Sequence, residues 1–168
     1  GNDIMGASFG NDSLMGGNGN DDMGGGAGRD YMEGNDGNDS IGGGEGDDTI
    51  MGGTGDDFLA GGGRHDLIDG GLGDDVINGG QGDDTMTGGD GADVFVFNGM
   101  IDGDVDTILD FEDGVDMFRI SGVENAPGSG LNGYIAALNI TNTTIDGEAG
   151  VSMTYGGQVI YVVGVSAA

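Results

Sequence analysis

Apolar side chains recur along the first 97 residues at one fixed interval. Met5, Leu14, Met23, Met32, Ile41, Ile50, Leu59, Ile68, Ile77, Met86 and Phe95 follow one another every ninth residue, without an insertion. Two residues ahead of each stands an aspartate: Asp3, Asp12, Asp21, Asp30, Asp39, Asp48, Asp57, Asp66, Asp75, Asp84 and Asp93. Two residues ahead of each aspartate stands a glycine, except at Arg64. The pair before that is mostly Gly-Gly, as in Gly52-Gly53 and Gly79-Gly80. The unit is G-G-x-G-x-D-x-U-x, with U apolar, and its positions are numbered 1 to 9 from the first glycine. A fixed period of this kind marks a repeat architecture.

The three residues x-U-x read as a minimal strand, with one side chain pointing in and its neighbours out. The six residues G-G-x-G-x-D read as a turn. Glycine permits positive φ there and lets carbonyls converge without a Cβ between them. One unit gives a strand and a turn, so two units give a coil of 18 residues. Stacked coils predict two parallel sheets with a column of turns along each edge. At about 4.8 Å per coil the roll is about 25 Å long.

Asp3, Asp21, Asp39, Asp57, Asp75 and Asp93 then fall on one edge, and Asp12, Asp30, Asp48, Asp66 and Asp84 on the other. Like charges at about 5 Å repel. A cation between neighbouring turns reverses the sign of that interaction. The ligands on offer are carboxylates and carbonyls, which suit a hard cation. Ca²⁺ accepts six to eight oxygens in irregular geometry, whereas Mg²⁺ demands an octahedron and keeps its waters. Calcium is the better reading. Five gaps on one edge and four on the other set a ceiling of nine ions. Residues 1–97 hold 21 acidic residues and two arginines, a net charge of −19 that nine Ca²⁺ would nearly cancel. One inward side chain per strand is too thin a core to order so much glycine. Metal binding and folding are therefore expected to be one event, and the metal-free chain to be disordered.

Composition narrows the partners. The 168 residues carry a net charge of −28, with three basic residues against 31 acidic ones. Such a chain repels nucleic acid and anionic membranes. It has no cysteine, hence no disulfide framework and no thiolate metal site. No apolar run is long enough to span a membrane. The chain opens on no signal peptide and does not begin with Met, so it reads as a piece of a longer protein.

The repeat resembles the calcium-binding nonapeptide of RTX proteins, the secreted bacterial proteins with haemolysin-type repeats. Residues 98–168, with "GADVFVF" just before them (91–97), "DTILDFEDGVDMFRI" (106–120) and "GGQVIYVVGV" (156–165), resemble the segment that follows the repeats in serralysin-type exported enzymes. The resemblance implies an all-β fold, a right-handed parallel β-roll over 1–97 and a β-rich C-terminal cap over 98–168. It also implies that each ion takes the repeat aspartates and turn carbonyls of two neighbouring coils. Those carbonyls belong to Gly17, Gly19, Gly26, Gly28, Asn35, Gly37, Gly44, Gly46, Gly53, Gly55, Gly62, Gly71, Gly73, Gly80 and Gly82. It implies a type I secretion signal in 98–168, passage through that machinery unfolded, folding outside the cell, and an upstream domain in the same polypeptide.

Some positions depart from the unit. Ala7-Ser8 replace the first Gly-Gly, Asn35 replaces a glycine, and Arg64-His65 fill positions 4 and 5. Arg64 is expected to make its turn the weakest of its column, unless it adopts an allowed φ. Beyond Phe97 glycine thins out. "DTILDF" and "DMFRI" alternate like strands, and 151–163 reads as a hairpin around Gly-Gly. Residues 130–139 are a candidate short helix. Asp104, Asp106, Asp110, Asp113 and Asp116 form either a further calcium site or a solvated loop.

An enzyme would need a nucleophile, base or redox metal. The one histidine, His65, reads as a surface residue, and no H-E-x-x-H is present. The chain is expected to be non-catalytic. The competing readings are a calcium-dependent segment of an adhesin or surface layer, with self-association left open, and a non-catalytic module of a polysaccharide-modifying enzyme. Finally, the outward residues Phe58, Val76 and Val94 stack on one sheet. Residues 98–168 are expected to fold back over that stripe, through 151–163 or 131–138.

Overall fold

The computed structural model describes residues 1–98, 103–112, 115–121, 139–145, 148–155 and 157–163. Strands are the only regular elements among them. The first ten repeat strands are β1 (Ile4–Gly6), β2 (Ser13–Asn18), β3 (Asp22–Ala27), β4 (Tyr31–Asp36), β5 (Ser40–Glu45), β6 (Thr49–Thr54), β7 (Phe58–Gly63), β8 (Leu67–Leu72), β9 (Val76–Gln81) and β10 (Thr85–Asp90). β11 (Val94–Asn98) closes the repeats. Then come β12 (Val105–Ile108), β13 (Met117–Ser121), β14 (Asn139–Ile145), β15 (Glu148–Tyr155) and β16 (Gln158–Val163).

Odd and even strands separate as the 18-residue coil requires. One sheet runs β1-β3-β5-β7-β9-β11-β13, and the other β14-β15-β16-β12-β10-β8-β6-β4-β2. Within the repeats every pairing is parallel and joins residues one coil apart, such as Ile41 with Leu59 and Ile50 with Ile68. The apolar row from Leu14 to Phe95 fills the space between the sheets, and from Met23 onward each member is at most 2% exposed.

The repeat strands are twice as long as the sequence predicts. Most cover six residues, positions 7 to 9 of one unit and 1 to 3 of the next. The Gly-Gly pair therefore belongs to the strand, and only positions 4 to 6 turn. Alternation then points positions 6, 8 and 1 inward: aspartate, apolar residue, glycine. The reason is spatial, since the inward-facing glycine at position 1 lies beside the aspartate side chain.

The C-terminal segment extends both sheets. β12 pairs with β10 and β13 with β11, all parallel. β15 and β16 form the expected antiparallel hairpin, with Tyr155 opposite Gln158, and β16 pairs with β12. Phe95, Phe97, Phe111 and Phe118 close the end of the core, the last two stacked at 4.4 Å between ring centroids. The hairpin 151–163 does not fold back over the Phe58 stripe. The hairpin lies in the other sheet, and Phe58 remains 52% exposed. Edge pairing of β12 and β13 satisfies backbone groups, which covering an outer face would not. Residues 131–138 and most of the candidate helix lie outside the described residues, and Asn139 begins a strand.

Candidate metal centre

Each turn column is a ladder of carboxylates joined rung to rung. The backbone N–H of one repeat aspartate donates to Oδ1 of the aspartate one coil on. Asp3 donates to Asp21 at 2.6 Å, Asp21 to Asp39 at 2.8 Å, and Asp75 to Asp93 at 2.9 Å. On the other edge Asp12 donates to Asp30 at 2.8 Å and Asp66 to Asp84 at 2.9 Å. Nine aspartates, Asp21 to Asp93, accept in this way. All nine are at most 3% exposed. Asp12 is half-buried and Asp3 is 58% exposed at the rim.

The second oxygen has no hydrogen-bond partner. Oδ2 of each of these nine aspartates is buried without a donor. Leaving a carboxylate oxygen desolvated and unpaired is costly. Burial accordingly raises the pKa of Asp57 and Asp84 from 3.8 to about 6, and that of Asp66 and Asp75 to about 7. The N–H donated from the previous rung opposes the rise and neighbouring carboxylates reinforce it. Asp39, Asp48 and Asp93 shift upward for the same leading reason. Nine unpaired oxygens in two columns are the feature a row of cations would resolve.

The glycines divide into two kinds. At positions 2 and 4 φ is positive, for example 117° at both Gly53 and Gly55. At position 1 φ is ordinary and the constraint is space. A Cβ on Gly52 would meet Asp57 Oδ2 and lie 2.5 Å from the Gly70 carbonyl oxygen. The position 2 and 4 carbonyls stack along the column. Those of Gly19, Gly26, Gly28, Asn35, Gly37, Gly44, Gly53, Gly55, Gly62, Gly71 and Gly73 each face the same position one coil on, where a Cβ would collide with them. Gly17, Gly46, Gly80 and Gly82 occupy equivalent places in the unit. Among the described residues Asn35 and Arg64 are the non-glycine residues held at positive φ, 77° and 84°. Arg64 thus keeps its turn in shape through a strained backbone.

Among the described residues no three acidic, histidine or cysteine side chains gather to hold a metal by themselves. A cation on these edges would draw on two rungs and on turn carbonyls, an all-oxygen set that suits Ca²⁺.

Two features were missed in the sequence. Position 5 builds an outer ladder: Asn2, Asn11, Asn20, Asp56 and Asp74 accept, through Oδ1, the N–H of the same position one coil on. His65 joins it, its Nδ1 accepting from Asp83 at 3.0 Å. The recurrence of Asn and Asp at that position was the available signal. The columns also continue past the repeats. Asp84 donates to Asp106 and Asp93 to Asp116, at 3.1 and 3.0 Å. Asp110 accepts from Gly88 and Gly89, and Asp104 from Gly82. Asp113 lies outside the described residues.

Among curated proteins none matches the chain. Among solved structures it is similar to the crystal structure of the extracellular lipase LipA from Serratia marcescens, at 18% identity and a TM-score of 0.39. The similarity covers 92% of this chain and 38% of the lipase chain. The family of the RTX calcium-binding nonapeptide repeat (four copies) matches residues 1–32, 24–59 and 60–95. With more than half its length accounted for by those repeats, the chain belongs to the RTX calcium-binding nonapeptide repeat family.

Proposed function

We propose that this chain is a calcium-driven folding module of a larger exported bacterial protein. Calcium outside the cell would bind between neighbouring turns and fold the roll there. The carrying observation is the set of nine buried, unpaired Oδ2 atoms, Asp21 to Asp93. Each belongs to the later rung of one gap between repeat aspartates, so nine ions is the number the repeats call for. The rungs would hold them with the stacked carbonyls of positions 2 and 4. The module itself carries no chemistry. Its partners are calcium, the upstream domain of the same polypeptide and a type I export apparatus. It would leave the cell unfolded and be locked outside.

Circular dichroism of the chain in chelator and in calcium tests this. Chelated chain should be mostly coil, and calcium at sub-millimolar to millimolar levels should induce β signal cooperatively. Magnesium at equal concentration should substitute poorly. A chelated chain with full β signal at neutral pH defeats the reading.

A further inference from the structure

We propose that both carboxylate columns end on rungs where an N–H donor takes the place of a cation: Gln158 closes one column at Asp106, and the backbone of Glu112 closes the other at Asp116. The inference rests on the calcium reading above.

Asp106 and Asp116 are rungs by the same criterion as the nine repeat aspartates. Each accepts, through Oδ1, the backbone N–H of the aspartate before it in the column. They differ at Oδ2. In the nine repeat rungs that oxygen has no partner. In Asp106 it accepts from Gln158 Nε2 at 2.5 Å, and in Asp116 from the Glu112 N–H at 2.7 Å. A carboxylate only accepts, so the amide must present Nε2 to it. Asp106 is 2% exposed and Gln158 4% exposed, so this pair is sealed from solvent. A cation on Asp106 Oδ2 would have to displace the amide.

The last ions therefore lie between Asp66 and Asp84 on one edge and between Asp75 and Asp93 on the other. Gln158 is a positioning residue rather than a ligand. It opens β16 of the C-terminal hairpin, so the same contact docks that hairpin on the end of the column. A neutral donor suits this place. It satisfies the terminal carboxylate without asking for a further coil of carbonyls.

Counting bound calcium by native mass spectrometry tests this on the full chain and three variants. Asp106→Asn should bind as many ions as the wild type, because the Gln158 amide can turn to offer Oε1 to the new Nδ2. Gln158→Glu sets a second carboxylate beside Asp106 and should gain one ion. Asp106→Asn combined with Gln158→Glu restores an amide–carboxylate pair and should return to the wild-type count. Hydrogen exchange over 150–163 follows the hairpin in each. Loss of one ion in Asp106→Asn overturns the proposal, as does an unchanged count in a folded Gln158→Glu. Where Gln158→Glu unravels the hairpin, the Asp106→Asn count decides alone. A wild type that binds no calcium defeats the calcium reading itself, and is distinct from either result.

Discussion

The backbone N–H of Asp39 donates to Oδ1 of Asp57, one coil further along the chain, at 2.7 Å. One carboxylate thus has two duties: Oδ1 joins the coils and Oδ2 waits for charge. Asp57→Asn separates them, since the amide keeps an oxygen for the Asp39 N–H and loses the charge. The calcium midpoint for folding should rise about tenfold, or about 1.4 kcal/mol. The midpoint read by circular dichroism checks this, and an unchanged value would show that Asp57 is not a ligand.

Acid should fold the metal-free chain. The carboxyls of Asp57 and Asp84 titrate at about 6 in the fold, and those of Asp66 and Asp75 at about 7, against an ordinary 3.8. The fold therefore holds more protons than the unfolded chain between these values. Its stability is fully present below pH 3.8 and is lost as pH rises through 6 to 7. A chelated sample taken from pH 7.5 to 4.5 should gain β signal. A loss of signal on that path contradicts the burial of these groups.

Adding one methyl group should separate the roles of glycine. Gly52→Ala meets Asp57 Oδ2 and the Gly70 carbonyl. It should cost several kcal/mol or abolish calcium folding, as overpacking of a tight site does. Gly42→Ala meets nothing within 4 Å and needs no positive φ. It should be neutral or stabilise by about 0.4–1 kcal/mol, through the unfolded chain. Calcium-dependent melting of the two variants measures the difference.

Arg64→Gly should stabilise the calcium-loaded roll by about 1–2 kcal/mol, because a side chain at φ 84° is strained. Thermal melts in saturating calcium check it. A lower melting temperature would show that the Arg64 side chain holds the turn in some other way.

Phe58→Ser should change stability by no more than about 0.5 kcal/mol, since the residue is 52% exposed on the outer face of its sheet. Melts in calcium read this directly. A larger loss would mean that Phe58 is covered in solution.

The period, the two edges and the inward row were legible because they need only counting. Asp48 and Ile50 fix a phase, and every neighbour obeys it. Strand length was hidden because Gly52-Gly53 carries turn chemistry wherever it stands. Gly52 is there for the space Asp57 needs, which no propensity records. Asp106 and Asp116 stood out as acidic residues, but their place as rungs of the columns was hidden by distance. Asp106-Thr107-Ile108 and Asp116-Met117-Phe118 repeat the D-x-U of the roll, yet lie 22 and 23 residues beyond Asp84 and Asp93. The longer intervals break the count while the rung bonds persist. Gln158 could not be found from local pattern, because it reaches its partner across 52 residues.

Pairing at a step of 18 residues, with strands alternating between sheets every nine, gives this fold a parity. Cutting out two units shortens it by one coil, and every residue upstream of the cut keeps its side. Cutting out one unit carries all of them to the opposite side. A cut between Arg29 and Arg64 would take Arg29 off the edge that bears Arg64, and a cut between Phe58 and Val76 would take Phe58 off the sheet that bears Val76. Anything joined ahead of Gly1 would swing half a turn about the long axis. Losses and gains of repeats can thus re-aim a neighbouring domain without altering a single turn.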